Sequence, residues 1–378
     1  MIQKFIPNTP QPVLDDLKSR IKNTRWPFEF PGSGWTFGAD LGYMKELADY
    51  WANDFDWRIT ESEINSYPNF IAEIDGYKIH FLHIKGKGKN SLPLIITHGW
   101  PGSFLEFLKL IPLLTENTEL SFDLVIPSMP GFGYSDPILD KEVNAEIVAD
   151  LFHQLMEQLG YKKYGAQGGD FGAGVASYLA LRYPVEVIGI HLNYISGNYR
   201  PELKVGETFT HEEINFIHSE EEWYLREGGY ALQQKTRPLT LAYGLNDSPV
   251  GLCAWIVEKM CMWADSRGNI EKVFTKDELL SNVTLYWVTQ SIHSSMWLYG
   301  GNSKNPLGLG TNAFISVPVG IAKFRYEDPL PPLKYISRGF NVQRWTEFDK
   351  GGHFAAMEQP ELLAEDIVKF FRDVVHSS

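Results

Sequence analysis

The feature that most narrows what this chain can fold into is an alternation. Between residues 92 and 195, short strand-like runs recur, each followed by a turn and then by a helical pattern. The runs are Leu92 to Thr97, Phe122 to Pro127, Tyr164 to Gln167 and Val187 to Ile195. Ser103-Phe104-Leu105-Glu106 is expected to open one intervening helix with a capping box, and a second helix is expected from about Asn144 to Leu159. Apolar strands alternating with helices predict a parallel sheet with helices on its faces, the α/β class.

Strand signals also lie outside that block. Phe70 to Ile74 and Lys78 to Leu82 flank Asp75-Gly76, a hairpin turn signature. Further strands are expected at Phe314 to Phe324 and Val342 to Phe348, before a final helix from about Pro360. From about Pro201 to Gly301 the pattern is helical, with Thr275 to Glu278 capping a long stretch expected to end at Gly300-Gly301. This reads as a helical insertion between strands of one sheet. The first 65 or so residues carry two apolar stripes at helical spacing, one through Leu14, Leu17 and Ile21, the other through Tyr43, Leu47 and Trp51. Both read as packing faces.

Composition excludes several functions. With 34 basic and 47 acidic residues the net charge is −13, which repels nucleic acid and anionic lipid. A small or neutral ligand is expected. Cys253 and Cys261 are eight apart in a helical segment, so their Cα atoms stand roughly 12 Å apart, too far for a disulfide. A reducing, cytoplasmic setting is expected. The first residues lack a signal-peptide core, and no run of 18 apolar residues suggests a membrane span. His80 and His83, three apart on a strand, point to opposite faces and are not read as metal ligands.

Three stretches carry chemistry. Gly168-Gly169-Asp170-Phe171-Gly172, between a strand and a helix, has the form of a nucleophile elbow with Asp170 at the nucleophile position. His98-Gly99-Trp100-Pro101-Gly102 follows the strand at Leu92, where α/β-hydrolases place an oxyanion-hole amide. The expected donors are the backbone N–H groups of Trp100 and Phe171, with His98 structural. Asp349-Lys350-Gly351-Gly352-His353 sits between the last strand and the last helix, which makes His353 the candidate base. Glu327, 26 residues upstream, is the preferred acid to orient it, ahead of its neighbour Asp328. Aspartate decides the reaction class. A serine that opened an epoxide or displaced a halide would leave an ether, whereas a carboxylate leaves an ester that an activated water can cleave.

On these residues the chain resembles the microsomal-type epoxide hydrolases, a group that includes juvenile hormone epoxide hydrolases. The likeness runs over almost the whole chain. It also takes in Trp57-Arg58, Asn246-Asp247-Ser248-Pro249-Val250-Gly251-Leu252, Tyr286-Trp287 and Gly351-Gly352-His353-Phe354-Ala355-Ala356. The resemblance implies an α/β-hydrolase fold whose core spans residues 67–200 and 302–378. A helical cap, residues 201–301, is inserted between, and an amino-terminal segment, residues 1–66, wraps core and cap. It further implies that Tyr230 and Tyr299 donate hydrogen bonds to the epoxide oxygen. The expected activity is conversion of an apolar epoxide to a vicinal diol through an ester on Asp170, with no metal or organic cofactor. Expected partners are the epoxide and water, without nucleic acid or a membrane span; a homodimer is compatible with the sequence. Two alternatives stay open here: haloalkane dehalogenation, disfavoured by Phe171 where a halide-binding Trp is usual, and a non-catalytic ligand-binding relative.

Overall fold

The computed structural model describes residues 1–377 apart from 196, 198, 311 and 312. Its strands are β1 (Ile2–Lys4), β2 (Asn69–Ile74), β3 (Tyr77–Ile84), β4 (Leu92–Thr97), β5 (Phe122–Pro127), β6 (Tyr164–Gly168), β7 (Val187–Leu192), β8 (Arg200–Pro201), β9 (Gly308–Leu309), β10 (Ile315–Phe324) and β11 (Phe340–Phe348). Nine of them form one sheet in the order β1-β2-β3-β5-β4-β6-β7-β10-β11. From β5 to β11 every pairing is parallel, as the apolar runs predict, and the β1–β2–β3 end is antiparallel. The β2–β3 turn is Asp75-Gly76, both at positive φ, as a two-residue hairpin requires.

Helices cover the faces. Helix Ala145–Gln158 begins where Asn144 caps it, its side chain accepting from the Ile147 N–H at 2.9 Å. Helix Asp170–Arg182 is apolar almost all round and is buried against the sheet. Helix Pro360–Ser377 turns Leu363, Ile367, Phe370 and Phe371 inward. Under it Asp366, 2% exposed, accepts hydrogen bonds from Arg344 and Thr346 at 2.7 Å and faces His191 at 3.0 Å. These partners hold its carboxyl well below the usual range despite burial.

A run of helices separates β8 from β9, two short strands that pair in parallel and tie its ends together. Two expectations are corrected here. The stretch opened by the Thr275 capping box is not continuous to Gly300-Gly301. Helix Lys276–Thr289 stops at Gln290, which takes a left-handed conformation, and Gly300 and Gly301 lie inside a later helix, Trp297–Lys304. A Cβ at Gly301 would stand 1.8 Å from the Val143 carbonyl oxygen, so this glycine serves close packing rather than helix termination. The second correction concerns Ser103-Phe104-Leu105-Glu106, which forms a short 3-10 turn, Phe104–Phe107, without a capping box. Ser103 Oγ accepts from the Leu105 N–H and donates to Asn282 Oδ1, while the Glu106 carboxyl accepts from the Ser103 backbone N–H, so only the glutamate half of the box forms.

The amino-terminal residues are bound to both parts. β1 pairs with β2. Trp51 Nε1 donates to Thr284 at 3.0 Å, Thr60 bonds Ser281 at 2.7 Å, and Lys276 pairs with Glu46 at 2.7 Å. No helix of the described residues is long and apolar enough to cross a membrane.

Candidate active site

Because β4, β6, β7, β10 and β11 run in parallel, their carboxyl ends share one edge of the sheet, where ligands of such sheets bind. The turn His98–Gly102, the elbow at Asp170, Asn193 and Tyr194, Glu327, and His353 all follow those ends. Residues 183 apart in sequence, Asp170 and His353, thereby meet.

At the elbow Asp170 has φ +48°, the strained turn expected between β6 and helix Asp170–Arg182. A Cβ at Gly172 would lie 1.9 Å from the Thr97 carbonyl oxygen, so only glycine lets the helix start this close to β4. Likewise a Cβ at Gly99 would lie 2.2 Å from Asp170 Oδ1, which explains the glycine before Trp100. The Trp100 N–H donates to that Oδ1 at 2.8 Å. Phe171, in the first helical turn, carries an N–H at the end of the helix where amides lack intrahelical acceptors. His98 Nε2 accepts from the Met129 N–H at 3.2 Å while Nδ1 meets the Gly99 carbonyl at 3.0 Å. It braces the turn, and burial lowers its pKa to about 4.

The second oxygen of Asp170, Oδ2, lies 3.4 Å from His353 Nε2, and His353 Nδ1 lies 2.8 Å from Glu327 Oε2. Burial alone would lower the imidazole's pKa. Glu327 and Asp170, a carboxylate on each ring nitrogen, outweigh it and hold His353 well above its ordinary value. The His353 N–H donates to the Trp263 carbonyl at 3.0 Å. Glu358 braces the same loop, accepting from the N–H groups of Gly352, Phe354 and Asp265. Burial still pushes its carboxyl up to about 7. Asp328, the alternative acid, is exposed.

Tyr230 and Tyr299 line the same front cavity as Asp170, with their rings 5.7 Å apart and nearly perpendicular. The Trp100 ring stacks on Tyr230 at 5.4 Å and meets Tyr299 edge-on at 5.8 Å. Burial, reinforced by the Asp170 charge, raises both hydroxyls well above 10, with the bond between the two phenols adding to the effect at Tyr299 and opposing it at Tyr230, so both are protonated at neutral pH. Trp223, Tyr224, Trp263 and Tyr194 extend this wall of rings.

Sequence reasoning missed Tyr194 and, above all, Glu106. Read as a capping glutamate, Glu106 also borders a second cavity of about 20 Å³ beside Asp170, together with Trp100, Asn193 and His353. Enclosure by protein raises its carboxyl to about 8, with Asp170 reinforcing and His353 opposing the effect. The cavity has room for about one water, for which ~10–15 Å³ suffices. The signal that could have exposed Glu106 was its place four residues after Gly102, directly after the His98–Gly102 turn.

Comparisons with known proteins agree with this geometry. A family model described as "Epoxide hydrolase N terminus" matches residues 2–107, and one for the "alpha/beta hydrolase fold" matches residues 93–201. The chain is 40% identical over 372 residues to a putative epoxide hydrolase of Stigmatella aurantiaca, covering 97% of this chain and 83% of that one. It is 36% identical over 405 residues to epoxide hydrolase 1 of Oryctolagus cuniculus, covering 98% and 88%. Among solved structures, the juvenile hormone epoxide hydrolase of the silkworm Bombyx mori superposes with a TM-score of 0.87 at 32% identity, covering 100% of this chain and 94% of that one. The Aspergillus niger epoxide hydrolase superposes with 0.88 at 31%, covering 99% and 97%. An aspartate on a strained elbow, flanked by an imidazole and a backbone amide, under likeness of this extent, makes the chain a member of the epoxide hydrolase family on the α/β-hydrolase fold.

Proposed function

We propose that Asp170 is the nucleophile of this epoxide hydrolase, with Tyr230 and Tyr299 as acids toward the epoxide oxygen and His353, oriented by Glu327, as base in the hydrolytic half. The observation that carries the reading is the division of labour on Asp170. Its Oδ1 rests on the Trp100 amide and its Oδ2 faces His353 and the front cavity.

Oδ2 attacks a ring carbon, the C–O bond of the epoxide breaks, and the departing oxygen takes a proton from the phenol pair. The enzyme then holds a neutral ester, a phenolate and an imidazolium. Transfer of the imidazolium proton to the phenolate through solvent leaves His353 neutral. Loss of the Asp170 charge favours that transfer, since this charge is one of the two holding the imidazole protonated. Alkylation thus converts His353 from an ion-pair partner into a base. Water in the small cavity behind Asp170, held by Glu106, adds to the ester carbon as His353 takes its proton. The oxyanion forms at Oδ1, on the N–H groups of Trp100 and Phe171. Collapse expels the diol, whose oxygen takes the proton from His353, and the residual carboxylic acid returns its own proton to the imidazole.

The ring-lined front cavity favours an apolar epoxide. A cytoplasmic setting belongs to this reading, supported by two free, buried cysteines; so does a homodimer, for which sedimentation supplies the test. The mechanism itself is tested by a single turnover in heavy-oxygen water with enzyme in excess. The expected result is unlabelled diol and a labelled Asp170 peptide. Labelled diol in that turnover would mean direct attack by water and would overturn the covalent scheme.

A further inference from the structure

Ring opening creates a supply problem. The alkyl group of the ester stays bonded to Asp170 on its front side, inside the ring-lined cavity, so a bulky substrate stands between bulk solvent and the ester carbon. The front cavity and the small one behind it have Asp170 and His353 as common walls. The rear space has room for about one water, which each turnover consumes.

A third cavity, about 440 Å³, meets the small one at Glu106. Its walls come from three parts of the chain: Tyr50, Phe55 and Thr60 of the amino-terminal segment, Asp277 and Ser281 of helix Lys276–Thr289, and Leu105 beside the oxyanion turn. Ile59, 70% exposed, and Lys109 at its rim place its mouth at the surface. Carboxylates and hydroxyls in its lining, among them Asp54, Glu63, Asp277 and Ser281, favour a water-filled passage over a dry one. Glu106 lines this pocket and also the small cavity behind Asp170. Its jointed side chain therefore forms a partition between surface water and the nucleophile.

Resting on the epoxide hydrolase reading, we infer that hydrolytic water reaches the ester from behind, through the pocket walled by the amino-terminal segment and past Glu106, while the epoxide enters through the cap. The protonated state that burial favours for Glu106 lets its carboxyl both donate to and accept from passing water. The route gives residues 2–107 a part in catalysis: they build one wall of the water supply.

The test is a removable plug. Ser281→Cys puts a thiol in the rear pocket, and the native thiols, Cys253 and Cys261, are buried. Benzyl methanethiosulfonate attaches a ring there as a mixed disulfide, releasing sulfinate, and dithiothreitol removes it. Attachment is followed by intact mass. In single turnovers with a bulky epoxide the tag should slow ester breakdown by about tenfold and leave alkylation of Asp170 unchanged, with the rate restored by the reductant. With a small epoxide that leaves the front open, the slowing should be much weaker. A fully tagged enzyme that breaks down the bulky ester at the untagged rate, or slows both esters equally, overturns the route. Leu108→Trp, a fixed plug in the same pocket, decides by the same criteria where the tag fails to attach. Absence of any Asp170 ester would instead sink the underlying mechanism, so the two failures are distinct.

Discussion

Glu327→Gln isolates the electrostatic part of the triad. Glu327 Oε2 lies 2.8 Å from His353 Nδ1, which places the centres of the two charges about 4 Å apart. At an effective dielectric constant of ~20 their attraction is about 4 kcal/mol, or roughly a thousandfold in the imidazole's proton affinity. On the proposed scheme the hydrolytic transition state develops positive charge on His353 after alkylation has neutralised Asp170, so Glu327 is then the carboxylate left to stabilise it. The amide is close to isosteric, and where its NH₂ group meets Nδ1 it enforces the tautomer that cannot accept a proton at Nε2. Ester breakdown should therefore slow by about 10³-fold, or by more where the wrong tautomer also traps the ring. Alkylation, which uses Oδ2 of Asp170 and the tyrosines, should fall by less than about tenfold. The variant should accumulate an adduct, read by intact-protein mass spectrometry after rapid mixing with excess epoxide. Ester decay within tenfold of wild type would refute this account of Glu327. Adding Asp328→Asn should change nothing more; a further large loss would mean that the exposed neighbour takes over.

Tyr230→Phe and Tyr299→Phe should each slow Asp170 alkylation by about 2–4 kcal/mol, the scale of an oxyanion donor, and spare ester breakdown. Their effects need not add, because both act on one oxygen; a double variant that alkylates at the wild-type rate would remove both from the mechanism. Glu106 titrates near 8 in the fold against 4.5 in the unfolded chain, so the unfolded carboxyl ionises first and rising pH costs stability across that interval. Glu106→Gln should accordingly melt higher than wild type above pH 8 and at nearly the same temperature near pH 4, and a calorimetric difference independent of pH would contradict the burial argument. Asp366→Asn leaves Arg344 and His191 without their buried partner and should cost about 3–5 kcal/mol in urea unfolding while the folded enzyme keeps its turnover.

What the sequence made legible follows from how local each signal is. β4 and β5 fall on the expected residues because apolar runs bounded by turns leave little freedom in register, and Asn144 marks its helix because an N-cap is a contact between near neighbours. The placement of Asp170 and His353 at one edge of the sheet was legible because the elbow and the last strand–helix junction are positions the fold itself prescribes. Glu106 was not. Its pattern with Ser103 satisfies the rule for a capping box, yet Ser103 Oγ donates to Asn282, 179 residues away, and the glutamate, still on the Ser103 backbone N–H, also lines the cavity beside Asp170. Local pattern loses to a tertiary contact in that turn. The same holds for Gly301, where the approach of the Val143 carbonyl, invisible in the local sequence, decides the glycine's role.

Helix Lys276–Thr289 fastens the His98–Gly102 turn. Asn282 Nδ2 donates to the Pro101 carbonyl at 2.8 Å, and Tyr286 hydroxyl donates to the Gly102 carbonyl at 2.8 Å. The backbone that aims the Trp100 amide is thus fastened to the insertion as well as to the sheet. For a protein engineer this makes core and insertion a matched pair: grafting a foreign insertion to change substrate range would discard the fasteners of the turn along with the old pocket. A graft that keeps Asn282, Tyr286 and the face of the helix bearing them while replacing Trp223 and Tyr224 at the cavity wall is the exchange this architecture permits. Divergence within such a scaffold is channelled the same way, toward substitutions along the cavity wall and away from wholesale trade of parts.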